Sequence, residues 1–134
     1  MRPSFKTIYM NLAKDLAKRS TCQRLQVGAV ITSTDFRKVL AVGYNGNAIG
    51  FPNKCDQNVP GACHCLHGEE NAIINCDAPR NTEKFVFTTH IPCPMCAKRI
   101  INLGGVKKVF FETDYRIQTA LEYFQAVEID YERI

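Results

Sequence analysis

Apolar positions in this chain change their period several times, and each change marks an element. Between Phe5 and Lys18, Ile8, Leu12, Leu16 and Ala17 recur at helical spacing, with Lys6, Lys14 and Lys18 on other faces and Ser4 placed to cap the first turn. From Gln26 to Ser33 the chain turns β-branched. After a polar break at Thr34-Asp35 a second such run covers Lys38 to Val42, which together predict a β-hairpin. Gly43 to Cys65 carries Gly, Pro and Asn with little periodicity and reads as a long excursion, of the kind that is functional or tied down.

Beyond it, Ala72, Ile73 and Cys76 predict a short helix from His67 that ends near Pro79. Phe85 to Thr89 reads as a buried strand. Cys93 opens a helix with Ala97, Ile100 and Ile101, stopped by Gly104-Gly105. Val106 to Phe111 is a further strand, Ile117 to Gln125 a helix with Ala120, Leu121 and Phe124 inward, and Val127 to Tyr131 a last strand. The order helix, hairpin, helix, strand, helix, strand, helix, strand predicts an α/β domain, a mixed sheet with helices on both faces. Residues 1–134 read as a single domain.

Composition narrows the class. Hydrophobic residues are 46% and charged residues 22%, an ordinary globular balance. The absence of a signal peptide and of an apolar run long enough to span a bilayer predicts a soluble intracellular protein with no membrane partner. The net charge of +4 is spread along the chain, which suits a phosphorylated small substrate and does not form a nucleic-acid stripe. Seven cysteines, an odd number crowded near histidines, suit metal binding in a reducing compartment better than a disulfide framework.

The candidate chemistry lies in His67-Gly68-Glu69 and Pro92-Cys93-Pro94-Met95-Cys96. One imidazole and two thiolates make a three-ligand set for zinc with a fourth position open to water, as a catalytic zinc requires. Water acidified in this way is available as hydroxide near neutral pH, and Glu69 could shuttle its protons. Both ligand groups fall at predicted helix N-termini, where partial positive charge favours thiolate. A purely structural zinc, or a dipole-complementing role for Glu69, is the plainer alternative. The joint pattern weighs against both.

His-x-Glu followed by Pro-Cys-x-x-Cys is the signature of zinc nucleobase deaminases. At these residues the chain resembles the cytidine and deoxycytidylate deaminase superfamily. Arg19-Ser20-Thr21-Cys22-Gln23-Arg24 leading into Val27-Gly28-Ala29-Val30-Ile31, Gly43-Tyr44-Asn45-Gly46 with Gly50, and Glu69-Glu70-Asn71-Ala72-Ile73 are similar to the dCMP deaminases, especially phage and bacterial members. The resemblance implies a three-layer α/β/α sandwich around a mixed five-stranded sheet, with zinc at the ends of two helices. It implies hydrolysis of dCMP to dUMP and ammonia, supplying dUMP for thymidylate synthesis, in the cytoplasm (of the host, for a viral chain) and in a hexamer. Glu69 would take a proton from the zinc water, pass it to N3 and later protonate the leaving amine, while backbone amides near the zinc helices hold the base.

Further residues follow from the same resemblance. Some phage and bacterial members bind a second, structural zinc, for which Cys22, Cys55, Cys63 and Cys65 form the preferred set, with His64 as an alternate and buried free cysteines as the other reading. Asn45 stands where the family bonds the sugar 3′-hydroxyl, although Asn-Gly is also a common tight turn. Gly43, Tyr44, Asn45 and Gly46 occupy the region linked to allosteric control by dCTP and dTTP, but Asn47-Ala48-Ile49 replaces the family's following Pro. Arg24, Arg80 and Lys98 are phosphate candidates by sequence proximity, and Tyr115 a candidate to border the base. Position 68, usually Ala, is Gly here and reads as a tolerated change; Glu70 reads as a solvent-facing helix residue, and His90 as pocket wall or structure. Rival readings are a zinc deaminase of another cytosine nucleotide such as dCTP or of an adenine in tRNA, and a non-catalytic zinc-binding protein.

Overall fold

The computed structural model describes residues 1–22, 25–55 and 64–134. Its elements in chain order are α1 (Phe5–Ala17), β1 (Gly28–Ser33), β2 (Val39–Tyr44), α2 (Gly68–Asn75), β3 (Lys84–His90), α3 (Pro94–Leu103), β4 (Val106–Thr113), α4 (Thr119–Ala126) and β5 (Asp130–Arg133). The predicted order of elements is the observed one, with boundaries shifted by a few residues.

The strands form one five-stranded sheet in the order β2-β1-β3-β4-β5. β1 pairs antiparallel with β2 and β3, whereas β3–β4 and β4–β5 are parallel. Alternation along the central strands separates two cores. Val30, Phe87 and Phe110 face α1, packing with Tyr9, Met10 and Ala13, and Phe87 stacks on Phe110 with ring centroids 4.6 Å apart. Their neighbours Ala29, Ile31, Val86, Val109 and Phe111 face α2, α3 and α4 through Ala72, Ala97, Ile100, Ala120 and Phe124. The sandwich is therefore three layers, α/β/α, with α1 alone on one side.

Helix α1 buries the predicted side only in part, with Leu12 and Leu16 half-buried against the sheet. Ser4 caps it as expected, its hydroxyl accepting from the Thr7 N–H at 3.2 Å, but Tyr9, Met10, Ala13 and Ala17 are buried and Ile8 is exposed. The reason is close approach: a Cβ on Gly28 would lie 1.9 Å from the Ala13 carbonyl oxygen, so the helix sits on the sheet through its small residues. The buried Lys84 was also unforeseen. Its ammonium donates to the carbonyls of Pro79, Thr82 and Gly104 at 3.0, 2.8 and 2.8 Å, holding the α2–β3 turn to the end of α3.

Candidate active site

The carboxyl ends of the parallel strands β3 and β4 lie side by side, with the Ile91 N–H donating to the Thr113 carbonyl at 2.9 Å. In open α/β sheets this is where ligands are held. The end of β3 leads directly to Cys93, which is the N-cap of α3; its sulfur accepts from the Cys96 N–H at 3.4 Å, and Pro94 fills the first helical position. His67 is the N-cap of α2. Two helix N-termini thus bring the imidazole and both thiols together, as the sequence predicted.

The donor atoms of His67, Cys93 and Cys96 lie within 4.8 Å of one another, and this is the one such group of three among the described residues. His67 Nδ1 is 3.2 Å from Cys96 Sγ and 3.5 Å from Cys93 Sγ. A tetrahedral zinc with Zn–S of about 2.3 Å and Zn–N of about 2.0 Å would set an N···S separation of about 3.5 Å, so the residues present fit that ion. The hydrogen bond from Cys96 pulls the Cys93 thiol down to about 4. Cys96, donating that bond and buried, is pushed well up. Accepting a hydrogen bond, the Cys93 thiolate in turn raises the His67 imidazole. A bound divalent ion would take the place of these protons.

Glu69 occupies the first turn of α2 and is buried. Burial raises its carboxyl to about 7, where one group can both take and return a proton near neutral pH. Glu70 corrects the sequence reading. It is half-buried, and its Oε1 accepts the His67 backbone N–H at 2.9 Å, closing the start of α2. Its Oε2 lies 3.2 Å from Nε of Arg99 on α3. Asn71 is also occupied, donating to the Tyr44 carbonyl at 2.8 Å.

A cleft of about 370 Å³ opens over these groups, within the range of small-molecule sites. It is lined by Cys22, Leu25, Val27, Asn45 and Cys65, by His90, Ile91, Asp114, Tyr115 and Arg116 from the ends of β3 and β4 and the loop beyond, and by His67, Gly68, Glu69 and Cys93. Asn45 is buried, and its Oδ1 accepts the Val27 N–H at 2.9 Å while its Nδ2 donates to the Leu25 carbonyl. One amide hydrogen and one lone pair are left for a ligand. His90 forms wall, its imidazole held below the usual value by burial.

Other sequence candidates fall elsewhere. Arg80 lies outside this cleft, in a depression between α2 and α3 with Ile73, Cys76, Lys98 and Arg99, because the turn that carries it leaves α2 at the helix end opposite the donors. Lys98 shares that depression, its ammonium 5.3 Å from the Tyr123 ring centroid. Arg24 and Cys63 lie outside the described residues. Cys22 and Cys65 are buried in the cleft wall, Cys55 is half-buried and His64 is exposed. Gly43 has a packing reason to be glycine: a Cβ there would lie 2.3 Å from the Ala72 nitrogen. Gly46 pairs with Leu66 through two backbone hydrogen bonds of 3.0 and 2.8 Å, tying the excursion's far end to the sheet. Tyr44 packs its ring 5.7 Å from the Arg19 guanidinium.

A three-layer sandwich with one His and two Cys converging on helix N-termini, and a buried carboxyl one turn away, defines a metal-assisted hydrolase of the nucleobase-deaminase class. The chain belongs to the cytidine and deoxycytidylate deaminase family, for residues 3–113 match its "Cytidine and deoxycytidylate deaminase zinc-binding region". Among relatives, ComE operon protein 2 of Bacillus subtilis is 34% identical over 99% of this chain and 72% of its own length. The deoxycytidylate deaminase of Mycobacterium phage D29 is 30% identical over 82% of this chain and 95% of its own. A solved structure of dCMP deaminase from cyanophage S-TIM5, in complex with dCMP and dUMP, superposes with a TM-score of 0.86 at 33% identity, covering 100% of this chain and 99% of that one.

Proposed function

We propose that the protein deaminates dCMP by hydrolysis, giving dUMP and ammonia. The observation that carries this reading is the buried Glu69 beside the His67, Cys93 and Cys96 donors at the base of an open cleft. The similarity over the full chain to a cyanophage enzyme holding dCMP and dUMP supports the choice of substrate.

His67, Cys93 and Cys96 would hold zinc, which when bound supplies Lewis acidity that makes water a nucleophile near neutral pH. Glu69 takes a proton from the attacking water and delivers it to N3 as oxygen adds at C4. It then carries the second proton to the departing amine, so the carboxylate ends as it began. A group near 7 does both halves of this work, and its burial keeps bulk water from competing for the proton. Tyr115 and His90 border the base, and Asn45 offers its spare N–H to a sugar hydroxyl.

The same reading includes a second, structural zinc on Cys22, Cys55, Cys63 and Cys65, with His64 as the alternate ligand. The burial of Cys22 and Cys65, which both line the cleft, supports it. It also includes a cytoplasmic homo-oligomer, hexameric as the family resemblance implies, and dCTP and dTTP as effectors near Gly43, Tyr44, Asn45 and Gly46. Ile74 and Met95, 68% and 57% exposed on α2 and α3, support a subunit contact on that side. Among the described residues no helix is long and apolar enough to cross a membrane.

The test is loss of the cytosine amine, followed spectrophotometrically with dCMP, dCTP and deoxycytidine, alongside zinc analysis. Turnover of dCMP with at least one zinc per chain is expected. Inactivity on every cytosine compound would move the reading to another base or to a zinc-stabilised binding protein.

A further inference from the structure

We propose that His90 reads the 5-position of the pyrimidine: it holds an Nε2–H toward that carbon, so the cleft favours a cytosine nucleotide whose C5 substituent offers an oxygen, as hydroxymethyl does, over one that carries methyl. The inference rests on the reading of the cleft as a dCMP deaminase site. It begins with the tautomer of the imidazole. Thr89 is buried, and its hydroxyl oxygen accepts the Gly28 N–H at 3.2 Å and lies 2.9 Å from His90 Nδ1. Among the described residues, that nitrogen is the one acceptor within reach of the hydroxyl hydrogen. A buried hydroxyl without an acceptor is costly, so the Thr89 O–H donates to Nδ1 and the ring hydrogen stands on Nε2. His90 lines the cleft, and its Nε2 has no partner among the described residues and is not shut off from solvent. The cleft thus contains a donor of fixed tautomer that no described protein group uses.

Sheet order places this donor against one edge of the base. C4 of the pyrimidine, where the amine leaves, has two ring neighbours, N3 and C5, on opposite sides. N3 turns toward Glu69, which gives it a proton, and Glu69 stands in the first turn of α2, a helix packed on β1 and β2. C5 therefore points away from α2, toward the next strands of the sheet, β3 and β4. His90 ends β3, Tyr115 follows β4, and both line the cleft. A hydrogen at C5 leaves room for water to take the Nε2–H. A methyl displaces that water and returns no hydrogen bond, whereas a hydroxymethyl oxygen replaces it.

The experiment compares zinc-loaded wild type with H90L and T89V. It measures kcat/KM for dCMP, 5-methyl-dCMP and 5-hydroxymethyl-dCMP, and reads the imidazole tautomer of His90 by 15N NMR. In the wild type the ring hydrogen is on Nε2, and the hydroxymethyl substrate is preferred to the methyl one by about tenfold, as for one donor left unpaired. In H90L the ratio falls to about one or below. T89V frees Nδ1, so the second tautomer appears and part of the preference is lost. Equal losses on all three substrates in H90L would leave the ratio unchanged, mark a structural role and overturn the assignment. A wild type active on dCMP but without preference between the two substituents, or with its hydrogen on Nδ1, would overturn it alone; a wild type inert toward all three would overturn it together with the reading on which it rests.

Discussion

Glu70 and Arg99 join the two helices that present the metal donors. One carboxylate oxygen of Glu70 caps the His67 N–H at 2.9 Å, and the other meets Arg99 Nε at 3.2 Å, three residues beyond Cys96. The pair therefore sets the spacing of the imidazole against both thiols. Glu70→Ala is expected to cost about 1–2 kcal/mol in chemical denaturation, the sum of a lost cap and a partly exposed ion pair. It should also weaken zinc binding about tenfold or more, since the groups that orient ligands share in affinity. Zinc affinity equal to wild type in a competitive chelator titration would reduce the pair to a helix-end contact.

Glu69→Gln should keep the fold and zinc content while lowering kcat by about a hundredfold to ten-thousandfold. A variant with full turnover would remove Glu69 from the mechanism.

The same substitution has a pH signature in the chelated, metal-free protein. Burial holds the folded-state carboxyl near 7, above its value in the unfolded chain. The folded state then binds more protons between the two values, so Glu69's contribution to stability declines as pH rises from about 4.5 to 7. Its full extent is on the order of 3 kcal/mol. The thiols titrate too, so the informative quantity is wild type minus Glu69→Gln at each pH. A flat difference across that window would contradict the burial argument.

Cys22→Ser probes the second metal. Elemental analysis should find about one zinc fewer per chain, and thermal unfolding should move to lower temperature, because a structural site adds folding free energy. If metal content and melting temperature both stay at wild-type values, Cys22 is a buried thiol and no ligand.

Gly68→Ala tests how closely the start of α2 packs on the segment before β1. A Cβ at this position would lie 2.8 Å from the Val27 carbonyl oxygen and 3.2 Å from Val27 Cγ1. Since Val27 also accepts the Asn45 backbone N–H at 3.2 Å, the shift would spread into the cleft wall. A loss of about 1–3 kcal/mol is expected by denaturant titration. Wild-type stability would show that the Leu25–Val27 segment moves aside freely.

Local sequence alone determined the element order, the capped starts of α1 and α3 and the three donors that converge, since helix periodicity, strand runs and ligand spacing are written in neighbouring residues. His67, Glu69, Cys93 and Cys96 could be read together because each pair sits within a few residues on one helix start. Tertiary structure decided that α1 rests on its small residues, for Gly28 and Ala13 meet only when α1 lies on β1. It also turned Glu70 from a solvent-facing residue into a clamp through an arginine 29 positions away. The cations divided for the same reason. Arg80 and Lys98 are close to the site in sequence yet face another depression, while Arg116 reaches the cleft because β4 ends beside β3. Proximity across strands depends on sheet order, and no periodicity within one segment encodes it.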